Sequence, residues 1–156
     1  MRSFEEVRDE FKKFPNVETR LPQRSDSRSA GYDFHSKENY ILQPGETHIF
    51  WTDVCATMFF DNVLMIYARS GIGCKKGIVP RNGTGIIDSS YYNNPCDGGN
   101  LAICLVNNGD KPFEVKIGDR IAQGVFLRYL IVDNDRFLSQ KENRVIRTGG
   151  FGSTGR

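Results

Sequence analysis

Apart from its beginning, the chain reads as short apolar stretches of alternating character separated by turn residues. Ile49–Thr57, Val63–Ala68, Gly85–Asp88, Leu101–Val106, Pro112–Lys116 and Ile121–Leu130 are rich in β-branched and aromatic side chains, the kind that suit a pleated, half-buried surface. Between them lie Gln43-Pro44-Gly45-Glu46, Phe60-Asp61-Asn62, Asn107-Asn108-Gly109-Asp110 and Ile117-Gly118-Asp119, each with the chemistry of a tight turn. This spacing predicts an all-β sandwich or barrel. The beginning follows another period: Ser3 and Glu6 fit a capping box, and Phe4, Val7 and Phe11 would share a helical face, so a short helix is expected there. The last ten residues, Arg147 to Arg156, hold four glycines and one aromatic and cannot build core. The expected division is one domain over 1–146 followed by a mobile arm over 147–156.

Composition narrows the reading. A chain of 156 residues buries roughly two-thirds of its unfolded surface around one core, and two full domains are not expected. With 38% hydrophobic and 26% charged residues, it belongs with globular rather than disordered chains. A net charge of +2 is too small for a general polyanion surface, so direct nucleic-acid binding is not expected. No apolar run approaches the roughly 18 residues of a membrane-spanning helix. Met1 to Pro15 carries Glu5, Glu6, Asp9 and Glu10, leaving no signal-peptide core, and a cytoplasmic protein is expected. Cys55, Cys74, Cys96 and Cys104 form no C-x-x-C pair, and His35 and His48 are the two histidines; a protein-built zinc site is not expected. Cys55 and Cys104 read as small buried hydrophobes, Cys74 and Cys96 as loop thiols.

Four stretches stand out from a plain β-domain. Ala30-Gly31-Tyr32-Asp33 sets an acid beside a glycine, and Ala68-Arg69-Ser70-Gly71 follows a strand with a cation, a hydroxyl and an unshielded backbone. Taken alone, Asp33 reads as a turn residue and Arg69 as a solvated charge. An Arg fork, a Ser hydroxyl and a Gly amide can together donate several hydrogen bonds to phosphate oxygens. Asn82-Gly83-Thr84-Gly85-Ile86-Ile87-Asp88-Ser89-Ser90-Tyr91 is a candidate hairpin, with Asp88 ending an apolar strand where a carboxylate is partly desolvated yet can reach a cleft. The competing reading makes Asp88 an edge-strand gatekeeper. The fourth stretch is the glycine-rich end.

In order and wording, these stretches resemble the conserved motifs of the trimeric dUTPases, which hydrolyse dUTP to dUMP and pyrophosphate. The resemblance adds Gly118-Asp119-Arg120-Ile121-Ala122-Gln123 and extends through Gly149-Gly150-Phe151-Gly152-Ser153-Thr154-Gly155, covering nearly the whole chain. It implies a distorted jelly-roll β-barrel, a homotrimer with sites at subunit boundaries, and a site closed by the glycine-rich arm. By the same resemblance Asp88 is the general base for in-line attack of water on the α-phosphorus. Arg69, Ser70 and Gly71 grip the phosphate chain where negative charge develops, Gln123 adds a phosphate contact, and Asp33 supports the metal and phosphate side. Mg²⁺ is the implied cofactor, held by the substrate phosphates and not directly by protein. Asn82 and backbone groups at Gly85 and Ile86 read the uracil edge, and Tyr91 packs under the deoxyribose, leaving no room for a 2′-hydroxyl. Phe151 stacks on the base, Gly152, Ser153 and Thr154 close around the terminal phosphate, and Arg147 is the arm's arginine.

Three features depart from the commonest pattern. Ser90 stands where many members carry a second acid, the connection Tyr92–Asn100 is longer, and the spacing from Arg147 to Phe151 is shorter. The longer connection and the shorter arm spacing resemble a bacterial and phage subgroup with Tyr-Tyr-Asn-Asn-Pro after the aspartate. The nearest rival reading is a dCTP deaminase, which shares the implied fold but needs a differently placed glutamate; another is a non-catalytic relative that regulates a protein partner.

Overall fold

The computed structural model describes residues 1–135. Its strands are β1 (Ser3–Glu6), β2 (Gln23–Arg24), β3 (Tyr32–His35), β4 (Tyr40–Leu42), β5 (Thr47–Trp51), β6 (Val54–Thr57), β7 (Asn62–Tyr67), β8 (Ile78–Pro80), β9 (Gly85–Asp88), β10 (Ala102–Asn107), β11 (Phe113–Val115) and β12 (Arg120–Arg128). A helix, α1 (Ser70–Lys76), lies between β7 and β8. Five strands form an antiparallel sheet in the order β2-β3-β12-β7-β9, three form β5-β10-β8, and β1-β6 and β11-β4 are two-stranded. No helix among the described residues is long and apolar enough to cross a membrane.

The core follows from period-two alternation. Phe34, Leu42, Phe50, Leu64, Leu105 and Ile121 are wholly buried, one from each of six strands, and meet in one cluster; each such side chain contributes about 1.5–3 kcal/mol. Gly124 of β12 belongs to the same packing. A Cβ there would come 2.8 Å from Phe34 Cε2 and 2.9 Å from Leu64 Cδ1, so the two large side chains meet where β12 has none.

The expected strands Gly85–Asp88, Val63–Ala68, Leu101–Val106, Pro112–Lys116 and Ile121–Leu130 correspond to β9, β7, β10, β11 and β12 within two residues at each end. The beginning of the chain differs. Ser3–Glu6 is a strand paired with β6, and only Asp9–Phe11 makes a single 3₁₀ turn. Ser3 Oγ donates to Glu5 Oε1 at 2.9 Å and does not act in a capping box. Phe4 packs edge-on against Tyr32 and Phe34, at 5.3 and 5.5 Å between ring centroids. The ladder and this aromatic cluster outweigh a local helical preference of a few tenths of a kcal/mol per residue.

The expected strand Ile49–Thr57 is in fact two, β5 and β6, because Asp53 has φ 56° and turns the chain. Its carboxylate is fully buried. It accepts from the backbone N–H of Lys13 (2.8 Å) and Phe14 (3.0 Å) and from Asn100 Nδ2 (2.9 Å), and it pairs with buried Lys37 at 3.1 Å. Burial pushes this carboxyl's pKa up, but the Lys13, Asn100, Phe14 and Lys37 donors together hold it below the ordinary value. A folded-state pKa below the unfolded one stabilises above about pH 4, the unfolded value, and the stabilisation fades as pH falls through the folded value. Acid denaturation is therefore expected below about pH 4, and Asp53→Asn should flatten the slope of stability against pH there, as read by chemical denaturation at stepped pH.

Two more differences concern the candidate motifs. The run Asn82–Tyr91 follows a tight turn, with Gly83 N–H donating to Pro80 O at 2.9 Å. It is not a laddered hairpin, since β8 pairs with β10 while β9 pairs with β7. The stretch after Arg69 is helical, and Cys74 lies exposed on α1 rather than in a loop. Gly71 and Gly73 hid that helix; its stop signal, Lys75-Lys76-Gly77 with Gly77 at φ 72°, is ordinary C-cap chemistry.

Candidate active site

Five of the residues singled out from the sequence line one cavity of about 330 Å³: Asn82, Gly85, Ile86, Asp88 and Tyr91. The volume is at the lower end of the range for small-molecule sites. One wall is β9, an edge strand that pairs with β7 so that Gly85 faces Ile66 and Asp88 faces Val63. The opposite wall comes from β10, with Ala102, Ile103 and Cys104. A Cβ on Gly85 would lie 3.1 Å from Ile66 Cβ, so a larger residue would push this wall off β7. Tyr91 sits in a 3₁₀ turn, Ser89–Tyr91, and is almost fully buried, its Oη donating to Asp97 Oδ2 at 2.6 Å. Asp88 is exposed at the mouth of this cavity. Cys104 is half-buried and burial raises its thiol pKa, while buried Cys55 is pushed up to about 11; both are protonated at neutral pH.

The phosphate-type residues form a second group at the other end of β7. Gln123 stands in register with Asp33 of β3 on one side and Tyr67 of β7 on the other. Arg69, two residues past Tyr67, turns back so that its Nε donates to Asp33 Oδ1 at 2.7 Å. Asp33 Oδ2 accepts from Ser25 Oγ at 2.9 Å and from Arg120 Nη1 at 3.3 Å. The carboxylate is nearly buried and aims two guanidinium groups. Gln123 Nε2 donates to Ala68 O at 3.0 Å, and a Cβ on Gly31 would collide with the Gln123 carboxamide; the glycine beside Asp33 leaves that side chain its place. Ser70 and Gly71 open α1, where the first amides of a helix have no intrahelical acceptor. His35, two residues on from Asp33, has a buried Nδ1 with no hydrogen-bond partner among the described residues. Burial and the charges of Arg20, Arg120 and Arg69 hold its pKa below the ordinary value against the opposing pull of Asp33.

Arg120 and Ser25 were not singled out from the sequence. Arg120 lay within a quoted motif, but nothing in one dimension says that it reaches Asp33 across β3 and β12. The remaining candidates, Arg147, Phe151, Gly152, Ser153 and Thr154, lie outside the described residues.

The register sets the Asp88 end of the cavity and the Arg69 group at opposite ends of β7. Asp88 faces Val63, and Arg69 lies six positions further along, roughly 20 Å at about 3.3 Å per extended residue. Water attack and leaving-group stabilisation on one phosphate ester must act within a few ångströms of each other.

A sequence model of the dUTPase family matches residues 18–155. A deoxyuridine 5′-triphosphate nucleotidohydrolase of Lactococcus lactis is 40% identical over 143 residues, covering 92% of this chain and 93% of that one. One from Nautilia profundicola is 35% identical over 144 residues, covering 90% and 94%. The crystal structure of dUTPase from Streptococcus mutans superposes with a TM-score of 0.73 at 33% identity, covering 85% of this chain and 99% of that chain. The dUTPase of Staphylococcus aureus phage phi11 shares the fold at a TM-score of 0.69 and 22% identity, covering 93% and 99%. With the motif order, the cavity and these likenesses agreeing over most of its length, the chain belongs to the dUTPase family.

Proposed function

We propose that the protein hydrolyses dUTP to dUMP and diphosphate, in a site completed by two copies of the chain within a trimer of distorted jelly-roll barrels. The observation that carries the reading is the strand register, which sets Asp88 opposite Val63 with Arg69 six positions further along the chain, roughly 20 Å for extended backbone, between a cavity with a carboxylate at its mouth and a doubly braced arginine group. A contact joining the Asp88 end of one copy to the Arg69 end of the next is head-to-tail, and such a contact closes into a ring of three when each copy is rotated by about 120° from the last. Exposed apolar surface supports assembly: Phe60 is 83% and Leu130 98% exposed, and Phe59, Leu127, Ile131 and Val132 are at least partly so. An apolar surface of this kind is commonly covered by a partner.

In this reading the uracil enters the cavity against Asn82 and the backbone at Gly85 and Ile86. Cytosine presents a donor where uracil presents an acceptor, and would leave cavity groups unpaired. Asp88 accepts a proton from the water that attacks the α-phosphorus, the bond to the bridging oxygen breaks, and diphosphate leaves. Arg69, Ser70 and Gln123 of the neighbouring copy meet the charge that grows on the leaving oxygens. Asp33, braced by Arg69, Arg120 and Ser25, holds the guanidinium groups rather than contributing to a metal cage. Mg²⁺ is proposed to enter on the phosphate oxygens of the substrate, a hard ion on hard oxygens. When bound there, Mg²⁺ would neutralise phosphate charge and leave the phosphorus more open to attack.

Diphosphate release from dUTP, dCTP, UTP and dTTP, each with and without Mg²⁺, tests the activity. Release from dUTP alone, stronger with Mg²⁺, is expected; ammonia release from dCTP would mark a deaminase. Residues 147–156 are proposed to close the site through Phe151 on the base, with Arg147, Gly152, Ser153 and Thr154 at the phosphates. A chain ending at Thr148 is expected to keep its melting temperature and oligomer mass and to lose most of kcat in single turnover, since closure serves the chemical step and not the core. Full activity of the truncated chain would contradict this.

A further inference from the structure

The connection Tyr92–Asn100 is bound tightly to the residue that precedes it. Asp97 uses both carboxylate oxygens there: Oδ2 accepts from Tyr91 Oη at 2.6 Å, and Oδ1 accepts from Gly99 N–H at 2.9 Å. A distance of 2.6 Å is that of a strong hydrogen bond to an ionised acceptor. Gly98 and Gly99 have φ of 67° and 76°, and a Cβ on Gly99 would lie 2.6 Å from Tyr91 O; glycine lets the connection fold back onto Tyr91. Its far end is fixed as well. Asn100 Nδ2 donates to Asp53 Oδ1 at 2.9 Å and to Phe11 O at 3.1 Å, while Asp53 N–H donates to Asn100 Oδ1 at 3.0 Å. The carboxylate that meets the phenol is therefore anchored through a short rigid loop to the buried Asp53 and Lys37 pair.

We propose that Asp97 is a positioning residue for sugar selection, holding the Tyr91 ring at the orientation that excludes a ribose 2′-hydroxyl. The inference rests on the reading of Tyr91 as the ring beneath the deoxyribose. The phenol oxygen is the part of the side chain furthest from the backbone, so the short bond to Asp97, with a longer one of 3.4 Å to Asn100 O beside it, holds the outer end of a ring whose inner part is already packed in the core. A ring that tilts away opens room for the extra hydroxyl.

The test compares kcat/KM for dUTP and UTP in the full-length protein and in Asp97→Ala, Asp97→Asn, Tyr91→Phe and Tyr91→Ala, with melting temperatures alongside. Asp97→Ala and Tyr91→Phe both remove the bond between the phenol and Asp97, and Tyr91→Phe also removes the 3.4 Å bond to Asn100 O. Each is expected to narrow the dUTP:UTP ratio by on the order of tenfold, the scale of one hydrogen bond to a charged group. The double variant should be no worse than either alone. Asp97→Asn keeps an acceptor and should restore most of the ratio. Should Asp97→Ala fail to fold, Tyr91→Phe carries the test, since it leaves the loop intact. Unchanged ratios in Asp97→Ala and Tyr91→Phe, with a narrowed ratio in Tyr91→Ala, would overturn the role of Asp97 and leave that of Tyr91 standing. An unchanged ratio in Tyr91→Ala would show that the sugar is read elsewhere, and both readings would fall.

Discussion

Asp88→Asn is expected to lower kcat on dUTP by about 10² to 10⁴ while dUTP still binds, because the amide keeps the shape of the carboxylate but cannot take the proton of the attacking water. The geometry makes this a clean substitution. Asp88 ends an edge strand, is exposed in the single chain and lines the cavity, so folding does not depend on burying it. An edge-strand carboxylate that only discourages aggregation would leave turnover near normal when changed to Asn, and that result would remove Asp88 from the mechanism. The binding arm is read by titrating a non-hydrolysable dUTP analogue: unchanged affinity with lost turnover places the defect in the chemical step.

The second large effect is on stability and lies far from the chemistry. Asp53→Ala is expected to cost about 3–5 kcal/mol, the range for removing one member of a buried ion pair. Lys37, only 4% exposed, would be left charged among buried groups, and the N–H groups of Lys13 and Phe14 and the amide of Asn100 would each lose an acceptor. The residue also holds φ 56°, which Ala tolerates less well than Asp. Denaturant unfolding at fixed protein concentration measures the loss, the concentration being held because assembly contributes to apparent stability. A loss below about 1 kcal/mol would mean that the pair behaves as a surface contact and does not tether Lys13 and Phe14 to the body.

How much of this was legible in the sequence depends on where the information sits. Strands such as β7, β10 and β12 are rich in branched and other apolar residues over six to nine positions, and that signal is local. β3, β4 and β8, of three or four residues, are too short to show a period. The Phe4, Val7 and Phe11 spacing suits a helix, and only the partner strand β6 and the rings of Tyr32, Phe34 and Phe126 decide against it. Asp53 breaks an apolar run for reasons found forty and more residues away, at Lys13 and Asn100. In the site, Asp88, Arg69, Ser70 and Tyr91 could be picked out because their residue types and order suit phosphate chemistry and base reading. Ser25, Arg120 and Asp97 could not, since each acts by touching another side chain across the fold. That Asp88 and Arg69 stand at opposite ends of β7 was likewise invisible until the register was known.

The division of the site between copies is the central claim, and subunit mixing tests it most directly. Asp88→Asn and Arg69→Ala chains, each inactive by itself, are given different tags, refolded together and purified through both tags so that every ring contains both. In a closed ring of three with either composition, one head-to-tail contact pairs an intact Asp88 with an intact Arg69, so about one-third of full activity is expected to return. Mixed rings no more active than their parents would show that Asp88 and Arg69 serve the same chain, contradicting the account.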